Sequence, residues 1–297
     1  MIVNSQAPIP NIVNSHTLLK FAQKLLQNVG INSFVIDSKV LLEKVLNYDR
    51  LNLELNKNNY ISQDLVINFL QLLERRLCYE PIAYIIGQKE FYGLDFFVDK
   101  NCLIPRPDTE CVVEACLNFL GLKSKALVFD LCTGSGAIAI SLLKNCPHIN
   151  VIASDISNKA LAITSKNAQN LGVIDRLELL CGDLFEPFNK NIKADLIVIN
   201  PPYISIPEMD TLDKDVYDYE PHLALCSNDN LGIAFYERII KSSQDYLAKD
   251  AVLILEIGYK QEDLLRRIAK KYFNSIKFFK DLASNTRGVI LHGNVKD

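Results

Sequence analysis

Ala126-Leu127-Val128-Phe129-Asp130-Leu131 runs directly into Cys132-Thr133-Gly134-Ser135-Gly136, and an apolar helical segment from Ala137 to Leu143 follows. A short, nearly all-apolar run closed by a glycine-rich turn predicts a strand buried on both faces, as in a parallel sheet. Gly134 and Gly136 let the main chain approach a ligand closely. Asp130, at the end of the strand, can face an ammonium group.

The same unit recurs downstream. Val151 to Ser154 predicts a second strand ending at Asp155, nineteen residues beyond Gly136. An acid at that distance reaches a ribose diol above a glycine-rich turn. The alternative is a plain strand-end acid that caps, with Ser157, the helix predicted from Ser157 to Leu171. Position 139 is Ala, so the full G-x-G-x-x-G pattern is absent and a single nucleoside without phosphate fits better than a dinucleotide. Leu177 to Cys181 predicts a third strand, followed by Gly182-Asp183-Leu184-Phe185. Asp183 is placed to accept from an adenine amine, while Leu184 and Phe185 pack either on the base or in the core.

The fourth strand, Ala194 to Ile199, ends in Asn200-Pro201-Pro202-Tyr203. Two prolines remove two backbone donors and fix φ, which holds the carbonyls of Asn200 and Pro201 rigid at the carboxyl edge of the sheet. Asn200 adds a side-chain carbonyl and an NH2 group, and Tyr203 an aromatic face. Such a site suits a planar NH2 group, either an amide or the exocyclic amine of a base, and fixed acceptors stabilise positive charge that develops on its nitrogen.

Strands alternating with helices predict a parallel α/β sheet. Beyond Tyr203, residues 204–230 read as a long loop with seven acids against Lys214, either a lid, a contact for a basic partner or a solvated connection. A helix from Leu231 to Leu247, a strand from Val252 to Ile257, a helix from Gln261 to Tyr272 and two strands, 275–279 and 288–291, complete the sheet with an antiparallel edge. Upstream, apolar residues at helical spacing predict three helices, from Ser15, Asp37 and Ser62, in a small bundle over residues 1–83 that serves packing or substrate recognition. Residues 1–14 are expected to fray, and Arg75-Arg76 to lie on a solvated face. Alternation around Gly93 predicts a hairpin within a linker of residues 84–107, and residues 108–297 form the α/β domain.

The composition bounds the function. A net charge of −3, with 8 basic and 7 acidic residues in positions 1–83, supplies no basic stripe for stable nucleic-acid binding. Eight cysteines without a C-x-x-C pair or nearby histidine ligands predict scattered thiols and no metal site. The apolar runs are too short to cross a bilayer, and Met1 to Pro10 carries no basic leader, so a cytoplasmic, soluble chain is expected. His16, His148, His222 and His292 are scattered, which gives no support to a Ser-His or Cys-His nucleophile.

The turn at 130–136, Asp155, Asp183 and Asn200 to Tyr203 together resemble the Rossmann-like, seven-stranded methyltransferases that use S-adenosylmethionine. Glu90-Phe91-Tyr92-Gly93, Ile104 to Glu110, Asp130 to Ile138, Gly182 to Phe185, Asn200 to Ile204, and Glu220-Pro221 with Ala224-Leu225 narrow the resemblance to the bacterial release factor glutamine methyltransferases of the HemK/PrmC type. That resemblance spans nearly the whole chain, the helical bundle included. It implies a seven-stranded, mostly parallel sheet, and an enzyme that methylates the glutamine of the Gly-Gly-Gln loop of peptide-chain release factors and releases S-adenosylhomocysteine; a monomer is expected. It also implies that Cys132, Thr133, Gly134, Ser135, Gly136, Asp155, Leu184 and Asn200 bind the cofactor, and that Asn200, Pro201, Pro202 and Tyr203 bind the glutamine. Cys132 stands where the family often has Gly, so the turn must accommodate a Cβ. The wording Pro107-Asp108-Thr109-Glu110 favours release factors over the sister family that methylates a large-subunit ribosomal protein. An adenine-amine methyltransferase is the other enzymatic alternative, and a cofactor-binding protein without turnover is the alternative from another class.

Overall fold

The computed structural model describes residues 13–294, and the chain divides into two compact units. Of the stretch expected to fray, residues 1–12 lie outside the described residues. One unit comprises residues up to Gly87 together with Lys214–Tyr219, and the other comprises Gln88–Asp213 and Glu220 onward.

The first unit is helical: α1 (Ser15–Asn28), α2 (Phe34–Leu46), α3 (Arg50–Leu55), α4 (Gln63–Leu77) and α5 (Ile82–Ile86). Asn14, not Ser15, caps α1, its side chain accepting from the N–H of Thr17 while the Thr17 hydroxyl returns the bond. Leu18, Ala22 and Leu26 of α1 meet Leu41 and Leu42 of α2 and Phe69 and Leu73 of α4 in the core. Arg76 corrects the expectation of a solvated face. It is buried, donates through Nε to Asp37 Oδ2 at 2.7 Å, and donates through Nη1 to the carbonyls of Tyr79 and Glu80. Arg75 stays exposed and pairs with Glu80 at 2.5 Å.

The second unit opens with a hairpin, β1 (Lys89–Phe91) and β2 (Leu94–Phe96). Tyr92 and Gly93 turn it with φ of 52° and 71°, the two positive values a tight two-residue hairpin turn needs. After a short 3-10 turn at Pro107–Thr109, α6 (Glu110–Leu120), β3 (Ala126–Leu131), α7 (Ala137–Asn145), β4 (Ile149–Asp155), α8 (Asn158–Asn170), β5 (Leu177–Cys181) and β6 (Ala194–Ile199) build the first half of the sheet. The expected loop 204–230 is instead folded locally. It contains α9 (Ile206–Met209), α10 (Lys214–Tyr219) and a 3-10 turn at His222–Ala224. Residues 214–219 are the segment that belongs to the helical unit, where the Tyr219 hydroxyl donates to the Cys78 carbonyl at 2.7 Å.

Next come α11 (Ala234–Ser243), β7 (Leu247–Glu256), α12 (Glu262–Ala269), β8 (Phe273–Lys280) and β9 (Thr286–Asn294). The helix expected to reach Leu247 stops at Ser243, because Leu247 already pairs with Ala194 across a bulge in the β6–β7 ladder. The seven strands lie in the order β5-β4-β3-β6-β7-β9-β8. Neighbours from β5 to β7 run parallel, and β9 runs antiparallel to both β7 and β8. The parallel sheet with an antiparallel edge is therefore as the sequence predicts. β3 feeds β4 on one side while β6 lies on the other, so the strand order reverses at the carboxyl ends of β3 and β6. A crevice at such a switch point is where ligands bind in open α/β sheets.

Candidate active site

A cavity of about 320 Å³ opens at that switch point. Asp130, Cys132, Thr133, Gly134, Ser135, Asp155, Asp183, Leu184, Asn200 and Pro202 line it. Gly136, Pro201 and Tyr203 do not reach its surface. Gly136 starts α7 at φ 82°, and a Cβ there would come within 2.8 Å of Ile140 and Thr164, so its role is close packing of turn on helix. Phe185 stacks on Tyr246 with ring centroids 4.7 Å apart, which makes it a core residue, and leaves Leu184 alone at the cavity.

The glycine turn is held from three sides. Thr133 N–H donates to the Ser154 carbonyl of β4, Gly134 N–H donates to Asp155 Oδ2 at 2.9 Å, and the Thr164 hydroxyl of α8 donates to the Gly134 carbonyl. Asn167, buried on α8, receives the N–H of Phe97 and donates to the carbonyls of Phe97 and Ser135. Cys132 occupies left-handed backbone at φ 59°. The Cβ that the sequence demands there is thus accommodated in a region most side chains avoid.

Three acids differ in surroundings. Asp130 is buried; its Oδ2 accepts from the Thr133 hydroxyl at 2.6 Å, and its Oδ1 has no hydrogen-bond partner. Burial pushes its pKa up to about 7 against the pull of that hydroxyl. Asp155 accepts from the N–H groups of Gly134 and Ser157 while the Ser157 hydroxyl caps α8 by accepting from the Ala160 N–H, and burial raises Asp155 from its ordinary value. Asp183 accepts from Arg238 Nη2 at 2.5 Å. No sequence motif singles out that arginine, which reaches the cavity wall from α11.

Asn200 and Tyr203 rest on a further buried acid that pattern reading does not assign. Glu256 ends β7 one position beyond Leu255, which pairs with Ile199, and so stands beside Asn200. Its Oε1 accepts from the Tyr203 hydroxyl at 3.3 Å, its Oε2 has no hydrogen-bond partner, and burial pushes it up to about 7. Gln261 bonds the carbonyls of Tyr203 and Gly232 through Nε2, at 2.9 and 3.0 Å. Gly232 is required there, since a Cβ would lie 2.3 Å from the Tyr203 carbonyl oxygen. At the rim, buried Glu220 accepts from the Ile104 N–H and from Arg106, joining the two proline-bearing segments that frame the opening. A strand-end acid after an apolar run was the available signal for Glu256; Thr109 and Glu220 were visible only inside the family wording.

Among the described residues no helix is long and apolar enough to cross a membrane, and no group of His, Cys, Asp or Glu is placed to hold a metal ion. Residues 17–87 match the family described as PrmC N-terminal domain, and residues 113–212 match the methyltransferase small domain. The release factor glutamine methyltransferase of Clostridium acetobutylicum is 38% identical over 271 residues, which cover 91% of this chain and 95% of that protein. The chain belongs to the release factor glutamine methyltransferases. The namesake from Leptospira interrogans is 39% identical over 93% of this chain and 96% of its own. A protein named bifunctional methyltransferase from Rickettsia typhi is 37% identical, and this chain spans 55% of its length. In fold alone, the hMettl16 catalytic domain, crystallised in complex with MAT2A 3'UTR hairpin 6, matches with a TM-score of 0.55 at 13% identity over 78% of this chain and 82% of that chain.

The residues present in this release factor glutamine methyltransferase fit S-adenosylmethionine. Asp130 Oδ1 has no hydrogen-bond partner and is free to accept from an ammonium, Asp155 keeps acceptor capacity for a diol, and Leu184 offers an apolar wall.

Proposed function

We infer that the enzyme transfers a methyl group from S-adenosylmethionine to the side-chain amide nitrogen of the glutamine in the Gly-Gly-Gln loop of peptide-chain release factors. Membership of the family across nine-tenths of the chain, helical unit and sheet unit alike, carries this reading. A translation factor as substrate implies action in the cytoplasm, and the net charge of −3 agrees with a protein target rather than stable nucleic-acid binding.

When bound, S-adenosylmethionine supplies an electrophilic methyl on a sulfonium centre. Asp130 would hold its ammonium, Asp155 its ribose, Asp183 and Leu184 its base, and the backbone of Cys132 to Gly136 its approach to β3. Asn200 would accept from the glutamine NH2 with Pro202 beside it at the cavity, while Pro201 and Tyr203, set back from that surface, would hold the segment in place. An amide nitrogen is a poor nucleophile because its lone pair is delocalised. The chain therefore has to align that nitrogen with the methyl and favour positive charge upon it, and such positioning supplies up to roughly 7–11 kcal/mol in ideal intramolecular models. No general base need act before transfer, because the proton can leave the charged nitrogen afterwards.

Asn200→Ala should lower kcat on a release factor by at least about 100-fold, the scale of losing one preorganised group that meets developing charge. Cofactor affinity should fall far less. Near-normal turnover in that variant would refute the role given to Asn200. Mass spectrometry of a release factor and of ribosomal protein after incubation with enzyme and cofactor locates the methyl; a methyl on the ribosomal protein alone would overturn the substrate.

A further inference from the structure

Asn200 meets its substrate with a carboxamide, which has an accepting end and a donating end, and only the accepting end suits an NH2 substrate. Resting on the reading above, we propose that Thr109 and Glu256 are positioning residues that fix which end faces the cavity. The Asn200 Nδ2 lies 3.5 Å from the Thr109 hydroxyl oxygen. Thr109 is buried, and its side chain is among the groups that favour the charged form of Glu256. A hydroxyl has one proton and two lone pairs. A carboxylate can only accept, so it takes that proton and leaves Thr109 Oγ1 as an acceptor for Asn200 Nδ2. Asn200 Oδ1 is thereby turned toward the substrate as an acceptor.

The surroundings hold this relay in place. Pro107 and the 3-10 turn it opens fix the backbone at Thr109, and Asp108 beside it pairs with Arg287 of β9 at 2.8 Å. Arg287 also pairs with Asp281 and favours the charged form of Glu256, against burial and Asp108. The Tyr203 hydroxyl donates to the same carboxylate. One buried acid therefore orients both ends of the Asn-Pro-Pro-Tyr segment. A glutamate side chain in place of the glutamine would bring an acceptor to an acceptor, so the relay also accounts for selecting a carboxamide over a carboxylate.

The test uses the full-length enzyme at pH 8, where Glu256, raised by burial to about 7, is ionised. Thr109→Val keeps the shape and removes the hydroxyl. It should cut kcat on a release factor at least about tenfold while the dissociation constant of S-adenosylmethionine stays within about twofold, and Thr109→Ser should recover at least a third of the wild-type kcat. A Val variant with unchanged kcat, or a Ser variant as impaired as Val, would overturn the relay. A second readout needs neither turnover nor a variant. In the free enzyme, nuclear Overhauser contacts should join the Asn200 Nδ2 protons to the Thr109 methyl; their absence in an assigned spectrum overturns the orientation. Failure of the wild type to methylate release factors, with those contacts present, would instead sink the substrate assignment and leave the orientation standing.

Discussion

Asp37 in the helical unit and Asp130 in the sheet unit are both buried acids, and the protein treats them in opposite ways. Asp37 is held through Oδ2 by an ion pair and a hydrogen bond. Arg76 reaches it at 2.7 Å, the Ser33 hydroxyl donates to it, and Asp215 lies 3.6 Å from the same guanidinium. Asp130 keeps one oxygen with no hydrogen-bond partner at the cavity, as Glu256 does behind Asn200. A paired acid holds a fold in register, whereas an unpaired one stores polarity that a ligand can satisfy. Stability and function are thus drawn from the same side-chain type in separate units.

The largest expected effect breaks the first half of that comparison. Arg76→Ala leaves Asp37 buried without its ion partner and should destabilise the helical unit by about 3–5 kcal/mol. Thermal melting and hydrogen exchange at α2 and α4 read the loss. Replacing both partners together, Asp37→Leu with Arg76→Met, should recover most of it, since an apolar pair removes the buried charge that the single variant exposes. A single variant within 1 kcal/mol of wild type would show that the pair does little.

Asp130→Asn probes the other half. It should weaken S-adenosylmethionine at least about tenfold, the scale of a hydrogen bond to a charged group, with stability unchanged or raised. The pH dependence sharpens this further. Asp130 keeps its proton in the fold up to about pH 7, whereas an unfolded aspartic acid loses it near pH 4. Between those values the folded state binds more protons, so this group's contribution to stability is full at the acid end and is lost as pH rises toward 7, by at most about 1.4 kcal/mol per unit. Cofactor binding has the opposite slope, because the ammonium needs the carboxylate. Melting curves from pH 5 to 7 should therefore show a cofactor-induced rise in Tm that grows with pH in the wild type and is flat in Asp130→Asn. A growing rise in the variant would remove Asp130 from the ammonium site.

The same contrast explains what could be read from the sequence. The strands, the glycine turn and the Asn-Pro-Pro-Tyr edge are written in consecutive residues whose period and φ demands are local, so the sheet, the turn and the strand-end acids that reach the cavity were legible. Arg76 with Asp37, Asn167 with Phe97, and Glu256 with Tyr203 are paired across long stretches of chain, and nothing within either local segment announces the partner. Arg76 was misread for that reason: beside Arg75 it looks like an exposed charge, and only the fold brings Asp37 to it. The acidic stretch after Tyr203 was misread as loop because its helices are one turn or so long, below the length at which a period can be seen.

Cys132 extends the comparison from side chains to backbone, with the smallest expected effect. At φ 59° a Cβ crowds the following carbonyl, which costs roughly 1–2 kcal/mol. At ordinary positions Ala is more stable than Gly by about 0.5–1 kcal/mol because Gly loses more freedom on folding. Comparing Cys132→Ala with Cys132→Gly cancels the loss of the thiol, which is absent from both. At this position the strain term outweighs the entropy term, so the Gly variant should be the more stable by up to about 1 kcal/mol, visible as a Tm a few degrees higher. An Ala variant that melts at or above the Gly variant would mean that the turn holds its left-handed residue without strain, and that the cavity wall stores its unmet demands in the acids alone.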